Sequence, residues 1–455
     1  MLFKKIITKL YRRNGFSPLP MIALGFASLI FLGSILLTLP VASATGVRIS
    51  WFDALFTATS AVCVTGLVVV DTGTTFSAFG HVVLMVLIQV GGLGFMTILT
   101  LMFRMMGRSI SLRERIIMRD SMNEDAIGGV VALIRWVAIS AFTVEAVGAL
   151  LFAVRLIPVY GWGRGLFYSA FHAVSAFCNA GFDLFGGYQS LTGFSGDLVM
   201  NLTAMALVVV GGLGFGVLAD IRDNRRFSKL RLHTKLVLVT YFALMAAGAV
   251  IVLLIEWSNP ETLGNMPAGQ KVLAALFQSV TWRTAGFNTI DQQALRDCTK
   301  LIGSCFMLVG AAPASTGGGI KVTTFAIALL TVRMVARGES CIVVFKRRLD
   351  RHLIQRTVAI IMIAVSVVFA DVCALSLMHP GESFLDLLYE CASAMGTVGI
   401  SAIGTASLNP FARAMIIATM FIGRVGPLTM ALLFANRQAK AKELVRYPEE
   451  KIMIG

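Results

Sequence analysis

The sequence Ser60-Ala-Val-Cys-Val-Thr-Gly66-Leu67 has three counterparts further along the chain, each aligned on one glycine. They are Ser175-Ala-Phe-Cys-Asn-Ala-Gly181-Phe182, Val280-Thr-Trp-Arg-Thr-Ala-Gly286-Phe287 and Ser393-Ala-Met-Gly-Thr-Val-Gly399-Ile400. The four glycines lie 115, 105 and 113 residues apart in a chain of 455 residues. Such near-even spacing predicts one structural unit that occurs four times in a single polypeptide.

The residues around each glycine are organised alike. A short apolar stretch with helical spacing precedes every glycine, at Phe52, Leu55 and Phe56, at Phe167, Phe171 and Val174, at Leu273, Leu276 and Phe277, and at Leu385, Leu388 and Tyr389. A second glycine or proline mark follows 24 to 30 residues later, at residues 91–95, 211–215, 310–313 and 423–427. The unit is therefore predicted to be a span, a short pore helix, an extended glycine segment and a second span.

Eight apolar runs approach the ~20 residues that a helix needs to cross about 30 Å of hydrocarbon. They cover residues 21–40, 80–103, 130–154, 198–219, 236–257, 301–335, 357–378 and 412–434. With 57% hydrophobic and only 14% charged residues, the composition excludes an ordinary soluble domain. We predict an all-α membrane protein, with eight spans and four re-entrant pore helices in pseudo-fourfold arrangement around one central pore.

The repeats divide the chain into consecutive segments. Residues 1–20 and 436–455 are predicted to be a cytoplasmic N-terminal segment and a cytoplasmic tail. The four repeats are assigned to residues 21–128, 129–234, 235–354 and 355–435. Their pore segments are residues 51–67, 165–182, 270–287 and 383–400.

The net charge of +15 is spread along the chain in a regular way. Lys and Arg concentrate in five segments, which hold 28 of the 39 basic residues: 1–13, 104–119, 222–235, 333–356 and 437–451. Two apolar runs separate each segment from the next, so all five can lie on one face, which the positive-inside rule makes cytoplasmic. We therefore expect a multi-pass protein of the bacterial inner membrane, with both termini inside. The basic face predicts contact with anionic lipid and no nucleic-acid partner.

The glycine segments have a conformational role that membrane physics restricts. Non-helical backbone is tolerated in a bilayer only where it is buried in protein or lines a water-filled cavity. Four extended segments around one axis can turn stacked carbonyl oxygens inward and replace the hydration shell of a monovalent cation. The predicted ligands are the backbone oxygens of Val64, Thr65, Gly66, Asn179, Ala180, Gly181, Thr284, Ala285, Gly286, Thr397, Val398 and Gly399. The alternative is that the glycines only permit close packing of helices.

The sixth apolar run is interrupted by residues 310–321, which hold four glycines and one proline. A helix is strongly disfavoured by this composition. We predict a flexible intramembrane gate beneath the filter, and a rigid kink is the alternative. The predicted gate residues are Gly310, Ala311, Ala312, Pro313, Ala314, Ser315, Thr316, Gly317, Gly318, Gly319, Lys321 and Arg424. The segment only loosely resembles a phosphate-binding loop, because no strand precedes it.

Arg424 lies within the last apolar run, where a charge costs at least ~2.5 kcal/mol unless it faces water or a partner. We predict that it points toward the pore below the filter, repels cations and holds a closed state together with the loop. A buried ion pair between two spans is the alternative. A second arginine, Arg283 in the third glycine segment, is expected to brace that segment from behind on Glu390.

Further charged residues have two open interpretations. Asp71, Asp183 and Asp291 follow filter glycines by five, two and five residues, so they either concentrate cations at the outer mouth or are ordinary loop carboxylates. Arg135 and Glu145 share one span but are about 15 Å apart along a helix. We expect each of these two residues to find a separate, structural partner.

Other functions are less compatible with this pattern. A secondary transporter of a small organic solute could place a site at the broken sixth run, but such folds usually repeat twice. An intramembrane enzyme would need convergent nucleophiles or acids inside the spans, and we predict that the chain is not an enzyme. The seven cysteines form no C-x-x-C pair and the five histidines have no ligand spacing, so no metal site or disulfide framework is indicated.

The four glycine segments, the broken third inner span and the arginine in the fourth resemble the Trk/Ktr/HKT family of potassium transporters over nearly the whole chain. The short N-terminus is most similar to the membrane subunit of the Ktr branch. The resemblance implies uptake of K+ through a filter with one glycine per repeat, often with Na+ as an activator. It also implies a homodimer and a cytosolic RCK-type ring of regulatory subunits. That ring, rather than this chain, would bind ATP, ADP or NAD.

Overall fold

The structure is a computed structural model that describes residues 19–94 and 130–435. Its helices are α1 (Leu19–Thr38), α2 (Trp51–Cys63), α3 (Ala78–Leu93), α4 (Val130–Phe177), α5 (Leu198–Gly212), α6 (Phe215–Asp223), α7 (Leu232–Glu256), α8 (Ala268–Thr281), α9 (Asp297–Leu308), α10 (Val322–Ala336), α11 (Arg351–Met378), α12 (Phe384–Gly396), α13 (Pro410–Val425) and α14 (Pro427–Ala435). The smaller elements are a one-turn helix at Thr72–Thr75, 3-10 turns at Pro40–Ala42, Thr192–Phe194, Phe227–Lys229 and Thr405–Ser407, and an antiparallel hairpin of β1 (Val343–Val344) and β2 (Arg347–Arg348). The predicted all-α class is confirmed.

Each repeat begins with a long outer helix, which is α1, α4, α7 or α11. These four helices are long and apolar enough to cross a membrane, and α5 with α6 makes a fifth candidate if that bent pair counts as one span. In repeat 2 the outer helix and the pore helix run on as α4, with a kink at Gly161, where φ is 78°. The other pore helices are α2, α8 and α12. The basic segments predicted at 1–13, 104–119 and 437–451 lie outside the described residues.

The inner spans are broken in more places than we expected. The spans predicted at 198–219 and 412–434 are not continuous helices, because α5 and α6 meet at 92° and α13 stops before α14. The breaks fall at Gly214 and Gly426, with φ of 89° and 101°, and α3 likewise ends at Gly94, with φ of 82°. A glycine in this left-handed region ends a helix at little cost. Only the break between α9 and α10 was predicted from the sequence.

The repeats pack against one another in cyclic order. Helix α3 of repeat 1 contacts α4 of repeat 2, and α5 of repeat 2 contacts α8 of repeat 3. Helix α9 of repeat 3 contacts α12 of repeat 4, and α13 of repeat 4 returns to α2 of repeat 1. The C-terminal halves of the pore helices are buried at the centre, as in Thr57–Cys63 of α2, where every residue is buried. The segment that follows each pore helix therefore enters a shared central region.

Candidate functional site

The four filter segments, residues 64–66, 179–181, 284–286 and 397–399, share one backbone conformation. The first residue and the glycine of each segment have a positive φ, and the residue between them does not. For the first residues φ is 56° at Val64, 60° at Asn179, 70° at Thr284 and 52° at Thr397. A β-strand turns successive residues to opposite sides. Left-handed residues at alternate positions abolish that alternation, so neighbouring carbonyls of a segment can face the same side.

Three of the first residues are β-branched, a type for which a positive φ is an outlier: Val64, Thr284 and Thr397. Each such residue costs about 1–3 kcal/mol and persists only where its surroundings hold it. The pore helices supply part of that support, because the N–H groups of Val64 and Thr397 bond the carbonyls of Ala61 and Ala394 at the helix ends. The strained conformation is therefore built into the end of the pore helix.

The filter glycines close the segments into a ring. A Cβ added to any of the four glycines would come within 3.0 Å of backbone atoms of a neighbouring segment. The partners run around the ring, from Gly66 to Ala180, from Gly181 to Gly286, from Gly286 to Val398 and from Gly399 to Thr65. Both the positive φ and the close approach exclude a larger residue. All twelve predicted filter residues thus meet at one place.

A hydroxyl from each pore helix anchors its own filter segment. In repeats 1 and 4 the hydroxyls of Ser60 and Ser393 accept hydrogen bonds from the filter-glycine N–H groups, each at 3.0 Å. In repeat 2 the hydroxyl of Ser175 donates to the carbonyl of the residue after the glycine at 2.8 Å. Repeat 3 has Val280 at the corresponding position, and the next residue, Thr281, makes the same kind of bond instead. Side chains of the pore helices therefore brace the filter from behind.

The intramembrane loop, residues 309–321, joins α9 to α10 and is pinned at its base. The N–H of Gly310 donates to the carbonyl of Ile320 at 2.8 Å, and the N–H of Ile320 donates to the carbonyl of Leu308 at 3.1 Å. Further backbone bonds tie the loop to the breaks of other inner spans: Ala312 to Gly212 at 3.0 Å, Thr316 to Gly211 at 3.2 Å, Phe215 to Ala314 at 2.9 Å and Gly319 to Gly423 at 3.2 Å. The loop therefore contacts the inner spans of repeats 2 and 4.

Filter side chains also contact the loop. The Asn179 amide lies 3.0 Å from Oγ1 of Thr284 and 3.2 Å from Oγ1 of Thr316, so it links two filter segments to the loop. In repeat 4, Oγ1 of Thr397 accepts a hydrogen bond from the N–H of Gly318 at 3.0 Å. The first filter residues of repeats 2 and 4, Asn179 and Thr397, are therefore hydrogen-bonded directly to the loop.

Arg424 bridges the loop and the inner span of repeat 1. One terminal nitrogen donates to the carbonyl of Thr316, and the other donates to the carbonyls of Gly91 and Gly92, the latter at 3.2 Å. No salt bridge to Arg424 occurs among the described residues, so the alternative of an ion pair between spans is not observed there. Lys321, at the C-terminal end of the loop, donates to the carbonyl of Gly317 at 2.7 Å. The structure thus gathers the predicted gate residues in one cluster next to the filter.

The second glycine or proline mark, which follows each filter glycine by 24 to 30 residues, has a packing role that the sequence analysis did not predict. In three repeats its first glycine lies against the carbonyl of the residue four before the filter glycine: Gly91 on Val62, Gly211 on Phe177 and Gly423 on Met395. A Cβ at any of these glycines would collide with that carbonyl. The mark therefore lets each inner span approach the end of its own pore helix. The regular spacing of the two marks was the available signal for this contact.

The expected pair of Arg283 and Glu390 is wrong. Arg283 is fully buried, donates to the carbonyl of Phe306 at 2.6 Å and places its guanidinium 5.4 Å from the centroid of that ring. Glu390 instead accepts a hydrogen bond from Thr405 at 2.5 Å. The two side chains face different neighbours, because Arg283 turns toward α9 and Glu390 toward the loop after its own filter segment. Arg283 still braces its segment from behind, through a carbonyl rather than a carboxylate.

The other charged residues lie in local networks. Glu145 is buried and accepts from Gln89 of repeat 1 at 2.8 Å, which confirms a partner other than Arg135. At the outer side, Asp71 accepts from the N–H of Gly187 in repeat 2 at 2.9 Å. Asp183 accepts from the N–H of Phe185 at 3.0 Å, and burial raises the pKa of its carboxyl to about 6. These carboxylates accept hydrogen bonds in the loops that follow the filter segments, so both roles left open by the sequence are compatible with their positions.

Fold and site together define a helical membrane protein whose four repeats close a ring of backbone segments. Its sequence matches the family model described as TrkH, cation transport protein, over residues 8–444. It is 42% identical over 440 residues to Ktr system potassium uptake protein B of Bacillus subtilis (strain 168), with 97% of each chain covered. It is 36% identical to the potassium/sodium uptake protein NtpJ of Enterococcus hirae, covering 97% of this chain and 98% of that one.

The crystal structure of the potassium transporter TrkH from Vibrio parahaemolyticus has the same fold, with a TM-score of 0.71 at 16% identity. The match covers 92% of this chain and 85% of that one. The chain therefore belongs to the TrkH family of cation transport proteins. Its relatives are cation transporters, so it is a transport protein and not an enzyme.

Proposed function

We propose that this protein takes up potassium ions across the bacterial inner membrane through the ring of filter segments. The observation that carries the proposal is the positive φ at the first residue and the glycine of all four segments, together with the contact of each glycine with its neighbour. Carbonyls that face one axis can replace the hydration shell of a monovalent cation. The four pore helices end beside the ring, and their partially negative C-termini favour the same charge.

A dehydrated ion fits this site better than an organic solute does. Backbone atoms of adjacent segments come so close at the filter glycines that one added methyl group would collide. The Bacillus subtilis relative is named as a potassium uptake protein, and the Enterococcus hirae relative as a potassium/sodium uptake protein. We therefore assign K+ as the substrate and Na+ as an activator of uptake. The role of Na+ as an activator is tested by measuring rubidium uptake with and without Na+ at constant ionic strength. Equal rates would refute this role.

The loop and Arg424 serve as the gate in this proposal. They lie together beside the filter, and the guanidinium is bonded to carbonyls of the loop and of repeat 1. A fixed positive charge in a low-dielectric passage opposes the entry of a cation. Withdrawal of Arg424 and the loop would open the passage. Opening would therefore break the bonds of Arg424 and the backbone bonds that tie the loop to the inner spans of repeats 2 and 4.

The proposed assembly with other subunits rests on the family resemblance. We propose a homodimer whose basic cytoplasmic face, with both termini inside, rests on a ring of RCK-type subunits that binds ATP, ADP or NAD. The name of the Bacillus subtilis relative, which calls it part of a Ktr system, supports a partner. Co-purification with such a ring subunit, and mass measurement of the membrane complex, test these two statements.

The filter assignment is tested by rubidium uptake and potassium-limited growth in a bacterium that lacks its own potassium importers. The chain is expressed with and without a cytosolic ring subunit, as the parent and as Gly286→Ser. A serine there meets both the unfavourable φ of 79° and the backbone of two neighbouring segments. We expect the parent to rescue growth and the variant to need about tenfold more potassium for half-saturation, equivalent to about 1.4 kcal/mol of ion binding.

Gly269→Ser is the matched control. Gly269 belongs to the same repeat, near the start of α8, and an added Cβ there would meet no atom within 4 Å. Its uptake should equal that of the parent. Unchanged half-saturation and unchanged preference for potassium in Gly286→Ser, at normal expression, would refute the carbonyl filter.

A further inference from the structure

Behind the third and fourth filter segments lies a closed network of four buried side chains, which we call the filter brace: Gln278, Trp282, Gln292 and Tyr389. All four are at most 3% exposed. Gln278 and Trp282 flank the C-terminal end of pore helix α8, Gln292 follows the third filter segment, and Tyr389 lies in pore helix α12 of repeat 4. The brace therefore joins two repeats at the level of the filter.

The hydrogen bonds of the brace satisfy all its members. Gln278 and Gln292 exchange reciprocal amide bonds, with Nε2 to Oε1 distances of 2.7 and 3.0 Å. The Tyr389 hydroxyl donates to Oε1 of Gln292 at 2.8 Å and accepts from Nε1 of Trp282 at 3.2 Å. None of these polar atoms is unpartnered in the part of the chain that the structure describes. A fully satisfied buried network is rigid and costly to disrupt.

The brace grips the third filter segment from both sides. Trp282 lies two residues before the segment, and Gln292 lies six residues after its glycine. Both bond the same hydroxyl, that of Tyr389, which belongs to the neighbouring repeat. At the ring itself, Gly286 lies against the carbonyl of Val398, and an added Cβ would be 2.9 Å from it. The brace therefore joins repeats 3 and 4 beside the point where their filter segments contact each other, and it fixes the distance between these segments.

In the part of the chain that the structure describes, the corresponding positions of the other repeats do not reproduce this network. The residues that correspond to Tyr389 in repeats 1 to 3 are Phe56, Phe171 and Leu276. Those that correspond to Gln278 in repeats 1, 2 and 4 are Ala58, Ala173 and Cys391, and those that correspond to Trp282 are Val62, Phe177 and Met395. None of these nine side chains offers a comparable polar group. The surroundings of the ring are thus unequal, although the segments are alike.

We propose that the filter brace is a specificity determinant, in which the Tyr389 hydroxyl acts as a positioning group that keeps segments 3 and 4 from closing on the smaller sodium ion. Discrimination between K+ and Na+ depends on the spacing of the carbonyls or on their number and field strength. A clamp that resists inward movement penalises the ion that needs the smaller ring. This inference rests on the proposed function of the filter.

Tyr389→Phe tests the inference, because it removes one oxygen and keeps the ring that fills the space. The variant leaves Nε1 of Trp282 without its acceptor and Gln292 without one donor. The readout is the ratio of the half-saturating concentration for transport of labelled Na+ to that for transport of Rb+, the latter measured at a fixed activating concentration of Na+. This ratio does not depend on the amount of folded protein. We expect this ratio to fall about two- to tenfold, the factor that corresponds to one net hydrogen bond.

Tyr241→Phe is the matched control. Tyr241 is also fully buried, but its hydroxyl has no hydrogen-bond partner among the described residues. Its substitution should leave the ratio unchanged. A second variant, Gln292→Met, keeps the length of the side chain and removes both the oxygen and the nitrogen of its amide group. If the brace acts as a unit, the double variant of Tyr389→Phe and Gln292→Met lowers the ratio by less than the product of the two single-variant factors.

The outcomes distinguish a failure of the filter brace from a failure of the filter itself. A parent-like ratio in both Tyr389→Phe and Gln292→Met, with Gly286→Ser still impaired, overturns the brace and leaves the filter intact. A parent-like ratio in all three variants refutes the filter itself. A lower ratio in the two brace variants, with the Tyr241→Phe control unchanged, establishes the brace.

Discussion

Oγ1 of Thr397 in the fourth filter segment accepts a hydrogen bond from the backbone N–H of Gly318 in the intramembrane loop at 3.0 Å. The Asn179 amide makes a corresponding contact with Thr316 at 3.2 Å. Filter and loop therefore share bonds, and the loop cannot move away without breaking them. In the proposed mechanism, these bonds would couple ion occupancy of the filter to the position of the loop, and a coupling free energy acts equally in both directions.

Thr397→Val should weaken the hold of the filter on the loop. The variant keeps the shape of the side chain and leaves the N–H of Gly318 without an acceptor, which costs about 1–3 kcal/mol in a buried setting. We expect the maximal rate of rubidium uptake to rise severalfold and the half-saturating concentration to change with it. Thr331→Val in α10, where the hydroxyl bonds only the preceding turn, is the control. A change of neither kinetic constant would show that the bond does not couple the two parts.

Substitutions of Arg424 should distinguish repulsion from tethering. Arg424→Gln removes the charge and shortens the reach to the carbonyls of Thr316 and Gly92. We expect a higher maximal rate and a measurable inward leak of sodium. Arg424→Lys keeps the charge but cannot bridge two sites with a planar fork. A parent-like rate in the lysine variant would assign the effect to charge, and a glutamine-like rate would assign it to the bridge. A parent-like rate in both would remove Arg424 from the gate.

Uptake should depend on external pH through Asp183. Burial raises the pKa of this carboxyl to about 6, and the nearby charge of Asp71 adds to the rise, while the N–H groups of Phe185 and Gly186 oppose it. The carboxylate is thus ionised at pH 7.5 and becomes neutral as the pH falls below about 6. Loss of this negative charge at the proposed outer mouth of the filter should raise the half-saturating concentration of potassium.

Asp183→Asn gives the control for that pH dependence. The variant should show at pH 7.5 the weaker affinity that the parent shows at pH 5.5, with little further change on acidification. Asp291→Asn, at an exposed carboxylate of the third outer loop, should keep the parent profile. An unaltered profile in Asp183→Asn would assign the pH dependence to another group.

A buried ion pair between repeats 3 and 4 should contribute to stability. Nζ of Lys300 in α9 lies 2.6 Å from Oδ1 of Asp386 in α12, and both side chains are largely buried. Lys300→Met leaves the carboxylate without its cation, and breaking such pairs costs about 3–5 kcal/mol. We expect a clear fall in the thermal unfolding midpoint of the detergent-solubilised protein. Lys300→Met combined with Asp386→Leu should recover much of it, whereas Arg337→Met, in an exposed 4.0 Å pair with Glu339, should be neutral.

The architecture was accessible from the sequence because its signal is repetitive. Four glycines at near-equal spacing, each behind a short apolar stretch, predict the pore helices and the order of the spans without knowledge of any contact. The broken span around residues 310–321 was equally clear, since four glycines and a proline oppose a helix. The breaks at Gly214 and Gly426 were not predicted, because one glycine within an apolar run is compatible with a continuous helix.

The side-chain partners were much less accessible. Tyr389 and Gln292 are 97 residues apart, and Asn179 and Thr316 are 137 apart, so local spacing carries no information about their contact. Charge matching suggested that Arg283 would pair with Glu390, but a buried guanidinium can also bond a carbonyl. One terminal nitrogen of Arg283 donates to the carbonyl of Phe306, and the other two nitrogens have no partner among the described residues. Polar contacts between repeats depend on how the helices pack, which the pattern of one repeat does not specify.

The cyclic packing of four unequal repeats within one polypeptide has a genetic consequence. In an assembly of four identical subunits, any point mutation at the axis is copied into every quadrant, so a loop as bulky as residues 309–321 would arrive in quadruplicate. Here a single codon changes a single quadrant. One quadrant could therefore acquire the loop, another the arginine that meets it and a third the asparagine that contacts the loop, while Val280 stands where the three counterparts all have serine. Four repeats in one polypeptide thus leave each quarter of the ring free to diverge on its own.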